Sequence, residues 1–461
     1  MTQIDRTSRL PFLPLTRRQA LMSAGAGFGY LAFRGLAAQA AALESGTAPK
    51  FDNPLAAKKP PFPAKAKRVI FLFMQGGPSH VDTFDYKPKL QQAAGQAGEK
   101  GRLLPSSFNF QRYGHNGLYV SDLYPNVARH ADELCMINSM HTDNPAHPQA
   151  TIQLHTGSAQ FVRPSVGAWV LYGLGTTNQN LPGYITINPP AGLGGAQNYG
   201  SAFLPATYQG TRLEGNGAMS DINPIMPAKL QRRQLDLLQA MNRDAENASG
   251  SPDQIEGVIQ SYELGFRMQS AVPELLDISK ETAATKALYG IGDGKSDTFG
   301  RQCLMARRFA QAGVRFIEVC YTGWDTHNNL HQRMTANAAG TDKPIAGLLA
   351  DLKSHGLLND TLVIWGGEFG RTPTSQGADG RNHNNRGYSM WMAGGGAKPC
   401  IHGKTDDFGA AAVESPVHVH DLHATTLALL GLDPENLTYK YAGRDFRLID
   451  VKGHVVKEII A

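Results

Sequence analysis

The chain has 461 residues, of which 41% are hydrophobic and 18% are charged, with 50 glycines and 27 prolines. Collagen-like, coiled-coil and disordered proteins need a stronger compositional bias and are excluded, whereas the length suffices for one large α/β domain or two ordinary domains. The net charge is +5, but residues 1–40 hold five arginines and one acid, which leaves 39 basic and 38 acidic residues, a net of +1. Since the basic excess belongs to this short segment, we expect no nucleic-acid partner.

The same segment predicts an export signal. Arg17 and Arg18 precede a weakly hydrophobic stretch, SAGAGFGYLAF, and residues 38–40 offer an A-x-A cleavage sequence, as in twin-arginine signal peptides. The alternative is a membrane anchor, but glycines and Arg34 interrupt a core that is shorter than the ~20 apolar residues of a bilayer span. We expect residues 1–40 to be the signal peptide, the twin-arginine machinery to be a partner, and the protein to be periplasmic or extracytoplasmic. No integral membrane domain is expected after signal removal.

The cysteines restrict the kinds of metal and redox site that are possible. Cys135, Cys303, Cys320 and Cys400 lie far apart, so there is no CxxC metal knuckle or redox pair. An oxidising periplasm would permit disulfides, but the spacing does not show which cysteines would pair.

Continuous apolar runs predict the strands of the domain. Residues 41–66, rich in Pro, Lys and Ala, are predicted to be a linker, and residues 67–461 the domain. The run Arg68–Met74 ends at a Gln-Gly-Gly-Pro turn and is typical of a strand buried on both faces of a parallel sheet. Similar runs occur at Leu134–Met140, Tyr184–Ile187, Val314–Tyr321, Thr361–Trp365 and Tyr388–Met392.

Helical periodicity lies between these runs. It is clearest at Ser165–Gly173, Phe299–Ala312 and Ile345–Leu357. Strands that alternate with helices predict an α/β fold with a mainly parallel, doubly wound sheet. Residues 221–297 break this rhythm with two apolar stripes at helical spacing and a capping box that begins at Ser251. We predict a helical insertion there.

Polar residues concentrate where four predicted strands end. Loops at the carboxyl ends of parallel strands converge on one crevice, where open α/β sheets bind ligands. The loops rich in His, Asp, Glu and Asn span residues 75–85, 141–149, 323–331 and 366–384. The sequence therefore predicts one functional site at this edge of the sheet.

The residue types in these loops indicate metal-assisted ester chemistry. Asp325, His327, Glu368 and His383 form a mixed carboxylate and imidazole set, typical of a divalent ion such as Zn²⁺ or Mn²⁺. Asp325 and His327 are separated by one residue, so both can face one ion. Such an ion would polarise a phosphoryl or sulfuryl oxygen and lower the pKa of a bound water towards ~7. Arg371 is the candidate for binding the tetrahedral anion.

Other polar residues of these loops have a chemical and a structural interpretation. His147 is the candidate catalytic residue, as proton donor or nucleophile. Ser79 either helps to bind the anion or caps the following turn. A hydrogen-bonded structural role is the alternative for every one of these residues, and it is the expected role of His80, His115 and His130.

Several motifs occur together along residues 68–461. They are FMQGGPSHVDTFDYKP, HPQATIQLHTG, GWDTHNN, GGEFGRTP, GRNHN and the tail HDLHATTLALLGLDPENL. In combination they resemble a bacterial family of unknown function whose members carry twin-arginine leaders and are described as sulfatase-like. The family is similar to the alkaline-phosphatase-like superfamily of alkaline phosphatases, arylsulfatases and cofactor-independent phosphoglycerate mutases. The resemblance implies a three-layer α/β/α sandwich and a divalent metal ion, Zn, Mn, Ca or Mg.

The resemblance extends to single residues of the site. Asp325 and His327 stand where the superfamily has an Asp/His metal pair, and His383 resembles its later metal-binding His. Glu368 stands where a D-H-G motif supplies a metal-binding Asp, although Phe369 replaces the His of that motif.

Further differences from the superfamily's motifs limit the kinds of reaction that the resemblance implies. Gln75 replaces the metal-binding Asp that follows the first strand, and Asp82 is a poor substitute for it. The segment AHPQATIQLHTG has no Cys and no well-placed Ser or Thr, which argues against formylglycine chemistry. The resemblance therefore supports one metal ion rather than a two-metal centre.

Two functional hypotheses follow, from different classes. The first is an exported metal-dependent hydrolase acting on a small-molecule or glycan ester of phosphate or sulfate, with His147 or a metal-bound water as the attacking group. The second is a non-catalytic exported binding or assembly protein on a degenerate hydrolase scaffold, which Gln75, Phe369 and the missing nucleophile favour. A metal-dependent mutase or transferase would use the same residues.

Overall fold

A computed structural model describes residues 53–220, 222–249, 252–450 and 452–461. The predicted signal peptide, the start of the predicted linker and Ser251 lie outside these residues. The chain divides into two compact units. The described residues of the first lie within 225–259, and the second consists of residues 53–224 and 260–461.

Strands and helices alternate over much of the chain. In chain order the strands are β1 (Arg68–Met74), β2 (Phe110–Tyr113), β3 (Leu118–Ser121), β4 (Leu134–His141), β5 (Tyr184–Ile187), β6 (Thr211–Leu213), β7 (Phe316–Tyr321), β8 (Thr361–Gly366), β9 (Gly370–Gln376), β10 (Gly380–Asn384), β11 (Tyr388–Ala393), β12 (Cys400–His402), β13 (Lys404–Thr405), β14 (Ala412–Glu414), β15 (Val417–His418), β16 (Tyr439–Tyr441) and β17 (Arg444–Phe446). The helices are α1 (His80–Thr83), α2 (Pro88–Gln92), α3 (His147–Thr156), α4 (Val166–Leu174), α5 (Ala228–Ser249), α6 (Pro252–Leu276), α7 (Ala283–Leu288), α8 (Asp297–Gln311), α9 (Leu330–Ser354) and α10 (Val419–Leu429). Each predicted strand and each predicted helix is present. β1 and β5 have the predicted bounds, and the others differ from theirs at one or both ends.

A nine-stranded sheet forms the centre of the second unit. Its order is β12-β4-β11-β8-β1-β7-β5-β6, and β15 also pairs with β4. β1, β5, β6, β7 and β8 are mutually parallel, whereas β11 is antiparallel to both of its neighbours, β4 and β8. Because the direction reverses twice across β11, β4 again runs parallel to β1. The carboxyl ends of β1, β4, β7 and β8 therefore lie at one edge of the sheet.

Helices α3 and α4 cover one face of this sheet. His155 of α3 contacts Glu318 of β7 (Nε2 to Oε1, 2.9 Å), and its ring packs against Phe73 of β1 in a T-shaped arrangement. Gly167 of α4 lies so close to the Tyr184 ring of β5 that a Cβ there would meet the ring at 2.5 Å. All three sheet residues are buried, and their registers place them on one side of the sheet.

Helices α8 and α9 form the layer on the opposite face. Trp365 of β8 packs against Tyr124, whose hydroxyl contacts Thr341 of α9 at 3.4 Å. Arg307 of α8 forms a buried ion pair with Asp351 of α9 at 2.8 Å. The second unit is thus the predicted α/β/α sandwich with a mainly parallel sheet.

One helix begins far from its predicted start. α9 begins at Leu330, whereas apolar periodicity predicts a start at Ile345. The first half of the helix is largely polar, with few buried positions such as Met334 and Ala338, so an apolar stripe is not visible before Pro344. Among the helices of the described residues, none combines the length and hydropathy that a bilayer crossing requires.

Candidate metal centre

Four side chains bring one nitrogen or oxygen atom each to a common point. The donor atoms of His147, Asp325, His327 and His383 all lie within 4.8 Å of one another. Asp325 Oδ1 is 2.9 Å from His327 Nε2, 3.2 Å from His147 Nε2 and 3.4 Å from His383 Nε2. Within the described ranges this is the one cluster of three or more His, Cys, Asp or Glu side chains with such spacing.

The sheet topology explains why these residues meet. His147 is the first residue of α3, after the loop that leaves β4, and Asp325 and His327 follow β7. His383 lies in β10, which pairs with β9 as a hairpin beyond β8. Because β4, β7 and β8 end at the same edge of the sheet, their loops converge there.

The three imidazoles are oriented by a second set of contacts. In each ring Nδ1 faces an acceptor oxygen, and Nε2 faces the common point. The pairs are His147 with Glu368 Oε1 (2.5 Å), His327 with Gln376 Oε1 (2.5 Å) and His383 with the Pro145 carbonyl (2.7 Å). An acceptor at Nδ1 favours a proton on that nitrogen, which leaves the Nε2 lone pair available to a metal ion. The donor set and its support therefore fit a divalent cation.

Glu368 supports His147 instead of facing the common point. Its side chain is fully buried between β8 and β9, and its carboxylate accepts the Gly76 N–H at 3.0 and 3.2 Å. The structure thus exchanges the positions of two predicted residues: His147, predicted as catalytic, points to the common point, and Glu368, predicted as a ligand, lies behind it. The ligand and catalytic roles themselves stay predictions.

Arg371 is enclosed by protein groups. Its guanidinium donates to Asp325 Oδ1 at 2.6 Å and to the carbonyls of Gly76, Gly77 and Arg381. The side chain is fully buried. This geometry holds Asp325 in place, and the predicted anion-binding role of Arg371 stays a prediction.

Ser79, the second predicted anion-binding residue, is also fully buried. Its hydroxyl donates to Asp82 at 2.5 Å, and Asp82 forms a buried ion pair with Arg381 at 2.7 Å. Thr326, next to Asp325, is buried as well. The hydroxyl groups of Ser79 and Thr326 are therefore not presented to solvent.

The carboxylates favour positive charge at the common point. Burial lowers the pKa of His147, but its contacts with Asp325 and Glu368 outweigh burial and raise the pKa to about 9. Burial raises the pKa of Asp325, but hydrogen bonds from His147, His383 and Arg371 hold it well below its usual value. Asp325 is therefore ionised, and the site is suited to a cation.

Phe369 lies directly beside the cluster. Its ring lies 4.7 Å from the His147 ring and 4.6 Å from the His383 ring and is almost fully buried. An apolar ring offers no ligand atom, so Phe369 adds nothing to the four donors of the cluster.

Most of the chain matches a known protein family. Residues 66–460 match the family described as "Protein of unknown function (DUF1501)". The chain belongs to the DUF1501 family. A search of curated proteins found no match.

Solved structures similar to this DUF1501 protein include three bacterial proteins. A protein in the alkaline phosphatase superfamily from Vibrio parahaemolyticus is 10% identical, with a TM-score of 0.36, over 84% of this chain and 73% of that one. PsFucS1 sulfatase from Pseudoalteromonas sp. is 12% identical, with a TM-score of 0.35, over 89% and 73%. The lipoteichoic acid synthase LtaP from Listeria monocytogenes is 9% identical, with a TM-score of 0.36, over 86% and 79%. These TM-scores are below 0.5, and the fold is defined by the strand order and the two helical layers of the second unit.

A cleft opens beside the cluster of the DUF1501 chain. It has a volume of about 1280 Å³, and His383, Gln376 and Pro145 belong to its wall. Six of the other wall residues carry neutral amide or hydroxyl side chains. Four charged wall residues already have protein partners. Arg386 pairs with Glu99, Asp407 pairs with Lys89, and Asp406 accepts four backbone N–H groups of the following loop.

Sequence reasoning missed two supporting residues of the cluster. Gln376 and the Pro145 carbonyl fix the rings of His327 and His383, respectively. Pro145 lies in a loop that the sequence singles out, but a backbone acceptor has no side-chain signature. Gln376 lies at the end of β9, and the β9–β10 hairpin is what brings it close to His327.

Proposed function

We propose that this protein is an exported hydrolase of phosphate or sulfate esters that binds one divalent metal ion through His147, Asp325, His327 and His383. The observation that carries the proposal is the convergence of three Nε2 atoms and one carboxylate oxygen, each imidazole being held by an acceptor at Nδ1. Three nitrogen ligands suit Zn²⁺ or Mn²⁺ better than Ca²⁺ or Mg²⁺, which prefer oxygen. Export rests on the arginine pair and the apolar stretch that follows it.

The side chains around the site have distinct tasks in this proposal. A bound ion supplies Lewis-acid polarisation of a phosphoryl or sulfuryl oxygen. Glu368 orients His147, and Arg371 orients Asp325. The Asp325 side chain is 43% exposed and that of His327 is 31% exposed, so the site is open to solvent on one side. An ester can therefore reach the donor atoms from the cleft.

The wall of the cleft favours a hydroxyl-rich substrate. Amide and hydroxyl side chains, among them Thr372, Ser375, Asn382 and Asn385, line it next to His383. Such groups donate and accept hydrogen bonds to sugar hydroxyls, and the volume exceeds that of a typical small-ligand pocket. We therefore take a glycan ester to be the substrate, with a smaller polyhydroxylated ester as the alternative.

Metal content tests the proposal directly. We expect the purified full-length protein to contain about one Zn or Mn per chain by inductively coupled plasma mass spectrometry, because each ligand is oriented before binding. Asp325→Ala and His383→Ala should each lose the metal. His115→Ala is the matched control, because this exposed imidazole pairs with Asp132 and is not one of the four proposed ligands. This variant should retain the metal. Full metal content in the Asp325→Ala variant would contradict the proposed ligand set.

Turnover tests the second half of the proposal. The wild-type protein should hydrolyse p-nitrophenyl phosphate or p-nitrophenyl sulfate, lose activity on chelation and recover it on addition of Zn²⁺ or Mn²⁺. Circular dichroism on each sample shows whether lost activity reflects lost folding. Activity that survives complete metal removal would contradict a metal-dependent hydrolase.

One observation favours the non-catalytic alternative. Ser79 and Thr326 are buried, and the Arg371 guanidinium is occupied by protein acceptors, so neither a hydroxyl nucleophile nor an anion clamp faces the cleft from these residues. This alternative predicts stoichiometric metal, no turnover of either ester, and saturable binding of a sulfated or phosphorylated glycan. Metal content and turnover, measured on one preparation, distinguish the two functions.

A further inference from the structure

Two of the four cysteines lie next to each other in the sheet. Cys135 of β4 and Cys400 of β12 are register partners in a parallel strand pair. Their Sγ atoms are 3.7 Å apart. Since they are 265 positions apart along the chain, the contact arises from the sheet alone.

The positions meet the geometric needs of a disulfide. Adjacent strands lie about 4.7–4.9 Å apart, which is inside the range of Cα separations, about 4.4–6.8 Å, that disulfides span. Register partners in parallel strands point to the same face, so the two Cβ atoms project together. Closing the sulfur separation to about 2.05 Å requires side-chain rotation and no change of strand pairing.

We propose that Cys135 and Cys400 form a disulfide that joins β12, at one end of the strand order, to β4. The remaining cysteines are unsuited to this role. Cys303 and Cys320 are fully buried, and the Cys320 thiol donates to Glu318 at 3.0 Å. The proposal is independent of the hydrolase function and requires only an oxidising compartment or oxidant.

The accessibility of the pair sets the order of the reaction. Cys135 is buried, whereas Cys400 is partly exposed. The hydrogen bond from Cys135 lowers the pKa of Cys400 to about 7, with Lys398 contributing, although partial burial opposes this shift. Cys400 is therefore the first thiol to react as a thiolate.

The chemistry balances with a disulfide oxidant such as oxidised glutathione. The Cys400 thiolate attacks one sulfur of the oxidant, forms a mixed disulfide and expels one glutathione thiolate. Cys135 then loses its proton and attacks Cys400 Sγ, which expels the second glutathione thiolate. Two protein thiols are oxidised, one oxidant disulfide is reduced, and two protons pass to the glutathione thiolates or to water.

The bond would brace the strand that leads to the metal centre. β4 runs from Leu134 to His141, and the loop after it supplies the Pro145 carbonyl and His147. Oxidation should raise the Tm of the full-length protein by about 2–8 °C, as expected for a cross-link that closes a long loop in a large domain.

Peptide mapping of the oxidised protein tests the proposal. The full-length protein is incubated with oxidised glutathione, denatured, alkylated, digested and analysed by mass spectrometry. We expect a peptide pair cross-linked through Cys135 and Cys400, loss of two alkylatable thiols, and the rise in Tm. Cys135→Ser and Cys400→Ser should abolish the cross-link and the rise in Tm, and Cys303→Ser, the buried control, should retain both.

Two results would overturn the proposal. One is that all four cysteines of the folded protein are still alkylated in full after oxidation, although the same treatment cross-links the protein unfolded in urea. The other is that oxidation of the wild-type protein ends with a glutathione adduct on Cys400, which is the product expected of the Cys135→Ser variant. This result would show that Cys135 cannot reach Cys400. Since oxidation and alkylation are read on wild-type protein, a variant that fails to fold does not prevent the test.

Discussion

At the scale of single residues, the site depends on one glycine that brings two chain segments together. Gly76 has φ +111°, and a Cβ there would lie 2.5 Å from the backbone nitrogen of Asp325. Its N–H donates to Glu368, which in turn holds His147. A residue without a side chain is needed both for the backbone angle and for the approach of the Asp325 loop.

The two needs can be separated by a pair of variants. We expect Gly76→Ala to lower the free energy of unfolding strongly and to lose metal, because the methyl group displaces the Asp325 loop. Gly95→Ala is the control: Gly95 also has a positive φ, +75°, but no atom lies within 4 Å of its Cβ position. It should cost about 1–2 kcal/mol for the backbone angle alone and keep metal. Urea unfolding and metal analysis measure both, and equal losses in the two variants would contradict the role of close approach.

Sequence patterns indicate the residues of the cluster better than their roles. Asp325, His327 and His383 could be selected because their loops follow strands whose carboxyl ends share an edge. The relative positions of His147 and Glu368 could not, because both lie in loops and either could face the common point. Which one does so depends on the Gly76 N–H, which holds the Glu368 carboxylate behind the imidazole.

At the scale of elements, a buried ion pair fixes the hairpin that carries His383. Arg381 of β10 donates to both carboxylate oxygens of Asp82 in α1, at 2.7 and 3.2 Å, and both side chains are fully buried. The Ser79 hydroxyl donates to the same carboxylate. The end of β1 and the β9–β10 hairpin are thereby joined.

Breaking this pair should be costly, whereas replacing it should cost less. Asp82→Leu leaves the Arg381 charge buried and unpaired, and we expect a loss of about 3–5 kcal/mol in the free energy of unfolding. Asp82→Leu with Arg381→Met should recover part of that loss, because no buried charge remains. The exposed pair Lys404 and Glu414 is the control, for which Lys404→Met should cost about 0–1 kcal/mol. Equal losses in the single and double variants, measured by urea unfolding, would show that the charge is not the cause.

Elements were predictable where burial leaves a pattern in the sequence. The central strands are buried on both faces, so their apolar runs are continuous and identify them. The direction of β11 was not predictable, because its residues are as apolar as those of a parallel strand and its orientation follows from the β9–β10 hairpin before it. The early start of α9 at Leu330 was likewise hidden, because a half-exposed helical turn needs few apolar residues.

At the scale of the second unit, a charged pair lies between the sheet and the helices of one layer. His155 of α3 contacts Glu318 of β7, and Tyr184 and Cys320 also donate to this carboxylate. All four side chains are buried. Burial lowers the pKa of His155, but Glu318 outweighs burial and raises it. Burial raises the pKa of Glu318, but His155 outweighs burial and lowers it.

Because the two pKa values shift in opposite directions, the pair stabilises the folded protein over a defined pH range. The raised pKa of His155 contributes stability that is complete below its unfolded value of 6.5 and is lost as pH rises through the folded value. The lowered pKa of Glu318 contributes stability that is complete above its unfolded value of 4.5 and is lost as pH falls through the folded value. The pair should therefore stabilise the protein most between pH 4.5 and 6.5.

A double variant isolates this contribution from those of the other histidines. We expect the difference in Tm between wild type and His155→Gln with Glu318→Gln to be largest between pH 4.5 and 6.5 and to shrink on either side, because only the wild-type pair titrates. His115→Gln with Asp132→Asn, at an exposed pair, is the control and should change Tm little at any pH. Scanning calorimetry from pH 4 to 9 measures both differences. A difference that stays constant across this range would mean that the pair acts through packing and not through its charges.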